Sequence, residues 1–197
     1  MLKIGVTGNI GSGKTVVSKI FEVLGIPVFY ADIAAKQVMT EDAVLIGGLK
    51  QAFGDEAYFD DGSLNRKHIA SIVFNNEEEL KKLNALVHPA VFRAFDSWVA
   101  QQHHVPYVVK EAALLFESDS FKMCDQTVLV TAPLELRIQR VMKRDALTRT
   151  EVESREARQF PEEKKMTLTD YVIRNDDTEL VIPQVLKLHE RFVSITH

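Results

Sequence analysis

The chain has 197 residues, 46% hydrophobic and 26% charged, enough to bury one substantial core and too few to require two independent domains. A formal charge of -4 speaks against a general nucleic-acid coat, which needs a basic surface, so no nucleic-acid partner is expected. The single cysteine, Cys124, excludes an internal disulfide, a thiolate metal cluster and a CxxC redox pair, and fits a reducing compartment.

Along the chain, "LKIGVTG" (2–8) is an apolar run of strand length that leads into "GNIGSGKT". That octet satisfies G-x-x-x-x-G-K-[ST] with Gly8, Gly13, Lys14 and Thr15, between a strand and a helix as the pattern requires. Gly8, Gly11 and Gly13 let the backbone approach a polyphosphate, so that successive amides and the positive end of the helix face the anion. In this pattern Lys14 bridges the β- and γ-phosphates of ATP, and Thr15 offers its hydroxyl to Mg²⁺. Ser12 and Val16 complete the expected ATP-binding segment. The helix "GKTVVSKIFEVLG" puts Val16, Ile20 and Leu24 on one face and ends at Gly25.

A second strand, "PVFYAD" (27–32), ends at Asp32, which the expected architecture sets next to the strand of the glycine loop. About seventy-five mostly helical residues follow, far beyond the roughly dozen that a crossover needs, leaving room for a substrate lobe within 32–105. Within it, "NNEEELKKLNALVHPAVFRAFDSWVAQQ" carries Leu80, Leu83, Leu86 and Val87, and Pro89 is expected to kink the helix or start a new one. The third and fourth strands are "PYVVKEA" (106–112) and "QTVLVTA" (126–132). Residues 137–158 then hold Arg137, Arg140, Arg144, Arg149, Arg155 and Arg158, six of the ten arginines, as expected of a phosphate-facing lid near 137–165. "DYVIRN" (170–175) is the fifth strand and "DTELVIPQVLKLHERFVSI" the last helix. Strands alternating with helices predict an α/β fold of three layers, a five-stranded parallel sheet in P-loop kinase order. No leader pattern and no run of eighteen apolar residues occur, so a cytoplasmic protein without a membrane partner is expected.

Neither an Asn-Lys-x-Asp guanine reader nor an Asp-x-x-Gly switch is present, and the chain is short for a motor or transporter ATPase. A P-loop fold with a helical lobe and an arginine-rich late segment points to a small-metabolite kinase that closes over its phosphates. The residues themselves leave the acceptor open between several small metabolites, nucleosides and nucleoside monophosphates among them. A binding module that uses ATP to set its conformation without transferring phosphate is the rival from another class.

Several stretches in order resemble the dephospho-CoA kinase family. They are "TGNIGSGKTVVSKIFEVLGIPVFYADIAAKQV", "DGSLNRKHIASIVFNN", "LNALVHPAV", "ALLFES" and "LTRTEVESREARQFPEEKK" followed by "DYVIRN". The chain departs from the family pattern at Tyr30, Glu111, Ala113 and Thr169. The resemblance implies transfer of the γ-phosphoryl group of Mg-ATP to the ribose 3′-hydroxyl of dephospho-CoA, in a monomer or weak homo-oligomer. It implies that Asp32 takes the proton of the attacking hydroxyl, that Arg140 grips the triphosphate from the lid, and that Asn175 holds the adenine edge. Arg66, His88, Leu115, Phe116 and Glu117 are its candidates for the substrate. Each has a structural alternative: Asp32 as a helix N-cap, the 137/140/144 arginines as a solvated helix face, Asn175 as a turn residue, His88 as part of a helix break, and Leu115 with Phe116 as core.

Overall fold

Five short strands form one parallel sheet in the order β2-β3-β1-β4-β5. The computed structural model describes residues 1–74 and 76–195, so Asn75 of the quoted "VFNN" lies outside the described residues. The strands are β1 (Leu2–Thr7), β2 (Val28–Tyr30), β3 (Tyr107–Glu111), β4 (Gln126–Thr131) and β5 (Tyr171–Arg174). β1 is central, pairing β3 on one side and β4 on the other. Thus β3 separates β2 from the strand of the glycine loop, which corrects the expected adjacency of the two. β3 fills the slot beside β1, pairing along Leu2–Val6, and the three-residue β2 takes the outer edge against β3.

The chain divides into two compact units, residues 1–30 with 102 onward, and residues 31–101. In the first, every β3 residue is buried, as covering on both faces requires. α1 (Lys14–Val23) and α9 (Val181–Ile195) contribute Val17, Phe21, Val185 and Phe192 to the core built on Ile4, Val6, Tyr107, Val128 and Ile173. The face of α1 differs from expectation: Val17 and Phe21 are buried, whereas Val16 is 55% exposed. The stripe that meets the sheet runs through Val17 and Phe21, with Ile20 and Leu24 packed at its margin. α6 (Leu134–Asp145), α7 (Arg149–Glu156) and α8 (Glu162–Leu168) complete this unit between β4 and β5.

The second unit is helical: α2 (Ala31–Glu41), α3 (Ala43–Phe53), α4 (Arg66–Val73) and α5 (Glu77–Ala100). Leu45, Leu49 and Phe53 of α3 and Val87, Ala90, Val91 and Phe95 of α5 are among its buried residues. α5 runs through Pro89, which corrects the expectation of a new helix start there. Proline removes one intrahelical bond. The buried residues on either side of it, and the Asn76 side chain accepting from the amides of Glu78 (3.1 Å) and Glu79 (3.2 Å), hold the helix together.

Candidate functional site

The glycine loop leaves the carboxyl end of β1 at Thr7 and becomes α1 at Lys14. Gly11 (φ +79) and Gly13 (φ +99) adopt left-handed backbone, and a Cβ at either would collide with a neighbour: Arg137's carbonyl at Gly11, the Asn175 carboxamide at Gly13. Glycine is therefore required both for the turn and for the approach of α6 and of the loop after β5. Ser12 is fully buried, and its hydroxyl has no hydrogen-bond partner among the described residues. An orphaned hydroxyl costs about 1–3 kcal/mol. Set in a loop whose amides open a helix, it suits an anionic oxygen that would accept from it.

Next to the loop, the Thr15 hydroxyl donates to a Glu111 carboxylate oxygen (3.4 Å). Glu111 closes β3 and is 8% exposed, and its partner across the ladder is Tyr30, the last residue of β2. Burial, then a hydrogen bond and the charge of Glu22, then the charge of Glu111, push the Tyr30 hydroxyl up to about 12. A hydroxyl and a carboxylate side by side are oxygen donors of the kind a hard divalent cation takes, with waters and phosphate oxygens completing its shell. Asp32 lies inside the first turn of α2, one residue past the helix start, so it is not the residue that caps the helix; it is exposed. A carboxylate in a first turn is favoured by the helix dipole.

On the opposite side of the loop, Asn175 extends the β5 ladder with its N–H donated to the Thr131 carbonyl (2.8 Å). Its carboxamide nitrogen donates to the Ser12 carbonyl (2.8 Å). Arg140 donates to the Asn175 carbonyl (2.9 Å) and pairs with Asp177 (2.8 Å). Loop, α6 and the turn after β5 are thus tied through Asn175. Arg137 does not share the setting of Arg140. It is 4% exposed, donates to the carbonyls of Ala132 (2.9 Å) and Ile10 (3.3 Å), and pairs with Glu156 (2.7 Å). Arg144 pairs with Asp145, and Arg149 with Glu135 and Glu153, so helical spacing did not give these arginines one common role.

Among the residues expected at the substrate, Arg66 is the exposed first residue of α4, whose N-cap Asn65 accepts from the His68 amide (3.2 Å). His88 is stacked on Phe92 at 6.4 Å between ring centroids, and burial pushes its pKa down. Leu115 and Phe116 are 0% and 3% exposed and lie in the core. Phe116 packs on Phe121, and Leu115 fills the space beside Gly5. The Glu117 carboxylate accepts the Phe160 amide (2.7 Å) and pairs with the ammonium of Lys165 (3.0 Å), which is itself fully buried. Asn9, Gln159 and Lys165, which no local pattern singles out, all enter this cluster. Their partners lie far away in sequence, so a polar run such as "QFPEEKK" carries no sign of burial.

A family model described as "Dephospho-CoA kinase" matches residues 2–180. A protein named dephospho-CoA kinase from Salinibacter ruber is 41% identical over 180 residues, 90% of this chain and 90% of its own length. One of the same name from Chlorobium chlorochromatii is 39% identical over 199 residues, 98% of this chain and 94% of its own length. The crystal structure of TT1252 from Thermus thermophilus superposes with a TM-score of 0.84 at 36% identity, covering 96% of each chain.

Proposed function

We infer the reaction from one premise: the chain belongs to the dephospho-CoA kinase family. It is an ATP-dependent kinase that phosphorylates dephospho-CoA in coenzyme A biosynthesis. The acceptor is the ribose 3′-hydroxyl and the products are coenzyme A and ADP. The observation that carries the triphosphate end is the loop itself, where a buried, unpartnered Ser12 hydroxyl sits among glycines at the start of α1.

The loop amides and Lys14 hold the β- and γ-phosphates, and Ser12 donates to a phosphate oxygen. The kinase works with a divalent metal alongside ATP, and Mg²⁺ is the ion proposed. Thr15, with Glu111 beside it, would hold it, and when bound it supplies charge neutralisation on the β- and γ-oxygens. The exposed carboxylate of Asp32 takes the proton of the 3′-hydroxyl as that oxygen attacks the γ-phosphorus; the bond to the β,γ-bridging oxygen breaks and ADP leaves. Arg140, on α6, stabilises charge on the moving phosphoryl group. Its two present partners are a carbonyl and an exposed carboxylate, contacts a phosphate would replace at little cost. Asn175 holds the adenine side, and Arg66, His88 and Glu117 serve dephospho-CoA binding directly or through the segments they fix. Residues 31–101 act as the substrate lobe and 137–165 as the lid. The protein works in the cytoplasm, as a monomer or weak homo-oligomer; among the described residues no helix is long and apolar enough to cross a membrane.

A coupled ADP-release assay with Mg-ATP, comparing dephospho-CoA with nucleosides and nucleoside monophosphates, tests the acceptor. Turnover with dephospho-CoA alone is expected, with the new phosphate placed on the 3′-oxygen by phosphorus NMR. Phosphate found on another oxygen would overturn that assignment.

A further inference from the structure

Besides the Asn175 tie at Ser12, the glycine loop is held from outside through the two peptide units that flank Ile10. The Ile10 N–H donates to the carboxamide oxygen of Gln159 (2.8 Å), and the Ile10 carbonyl accepts from the guanidinium of Arg137 (3.3 Å). Its neighbour Asn9 is fully buried and donates from one carboxamide nitrogen to Glu156 (2.7 Å) and to the Phe160 carbonyl (3.2 Å). Both consecutive loop residues are therefore fixed by the turn between α7 and α8.

That turn is fixed in its own right from the segment after β3. The Gln159 carboxamide nitrogen donates to the Ala113 carbonyl (3.3 Å), which the Lys165 ammonium also reaches (3.2 Å). Burial pulls the Lys165 pKa down, and Glu117 opposes that shift by charge and hydrogen bond. Gln159 is therefore held at both ends of its carboxamide: one end in the loop, the other in a buried polar network. Glutamine suits this place because it alone joins an acceptor for an amide to a donor for a carbonyl in one planar group of that length.

We propose that Gln159 is a positioning residue for phosphoryl transfer, holding the Ile10 peptide so that the loop is already shaped for the triphosphate before ATP arrives. The role rests on the assignment of the loop to ATP. It acts through the loop and involves no contact of Gln159 with substrate. A preformed cradle binds more tightly than one that must be ordered by its ligand. By the same linkage, ATP in the loop reduces the freedom of the α7–α8 turn.

The test compares the unsubstituted protein with Gln159→Met, of similar length but unable to bond, and Gln159→Glu, which keeps an oxygen for the Ile10 N–H. Amide hydrogen exchange at Ile10 by NMR, the Kd for Mg-ATP by calorimetry and the thermal midpoint without ligand are measured for each. Gln159→Met is expected to speed exchange at Ile10 and weaken Mg-ATP about tenfold, beside a modest fall in the ligand-free midpoint from the two part-buried hydrogen bonds it gives up. Gln159→Glu is expected to keep Ile10 protected. A lowered midpoint with an unchanged Kd would overturn the role and leave Gln159 a purely structural residue. Loss of Ile10 protection in Gln159→Glu equal to that in Gln159→Met would overturn it as well, and stays readable should the methionine variant not fold. Failure of the unsubstituted protein to bind Mg-ATP would overturn the assignment of the loop and this inference with it, whereas its normal binding beside an unchanged Gln159→Met variant overturns this inference alone.

Discussion

Lys14 and Asp32 are proposed to carry different parts of the reaction, and substitutions separate them. Lys14→Ala removes the cation proposed at the β- and γ-phosphates and is expected to abolish turnover with the far-UV circular dichroism spectrum retained, since Lys14 is not among the residues of the apolar core. Asp32→Asn keeps the shape but not the basicity of the carboxylate. The expected loss in kcat is about 10²–10⁴-fold, with the Kd for ATP changed by less than about threefold. Rates from steady-state assays and Kd from calorimetry give the split, and turnover retained in Asp32→Asn removes the base role. Cys124 makes the opposite case, a reactive residue type rendered inert. Burial pushes its thiol up to about 11, Asp125 adding to the shift and Lys110 and Lys3 opposing it. At pH 8 roughly one thiol in a thousand is then ionised, so iodoacetamide should label Cys124 only in urea, a contrast read by mass spectrometry.

Helix ends contribute to the stability of residues 31–101. Asp42 caps α3 by accepting from the Leu45 amide (2.8 Å) and pairs with Arg93 (2.6 Å) on α5. The Leu45 amide first, then Arg93, hold its carboxyl below the ordinary 3.8. A lowered folded pKa stabilises the fold above the unfolded value, and that stabilisation is lost as pH falls through the folded one. Asp42→Ala is expected to cost about 1 kcal/mol near neutral pH, and the gap between the two proteins in urea unfolding should close in strong acid. A gap that stays constant with pH would assign the cost to helix propensity rather than to the charged cap. The N-caps at Asn65 and Asn76 can be found in the sequence because each is a local residue choice. Pro89 could not be placed in the same way: whether a proline breaks a helix depends on the burial around it, here Val87, Ala90, Val91 and Phe95, and no local pattern reports that.

At the scale of the whole molecule, legibility follows contact range. The inner strands, covered on both faces, read as apolar runs, and the partly exposed β2 and β5 as short β-branched and aromatic runs, so all five are legible within two residues of their observed ends. The connection after β2 is too long for a simple crossover, and the described chain divides into compact units after Tyr30. What could not be read was which strand lies beside β1, why Arg137 turns inward while Arg140 stays near the surface, and that Gln159 reaches Ile10 across 149 positions. Each depends on pairings that only the closed fold creates. The loop-to-turn links also bear on how ligand energy is distributed. ATP that binds the folded protein and not the unfolded chain adds about 2.7 kcal/mol at a hundred times its Kd. For a chain of this length that corresponds to a rise of about 5–10 °C in the thermal midpoint. The rise should be seen in the unsubstituted protein by calorimetry and should shrink to less than about a third in Lys14→Ala at the same ATP concentration, because that variant gives up the charged contact at the phosphates. Hydrogen exchange under the same conditions should slow in residues 8–13 and at the α7–α8 turn together, since Ile10 and Asn9 are bonded to it directly. Slowing confined to the loop would mean that the turn is held by Glu117 and Lys165 alone and that ATP energy stops at the loop.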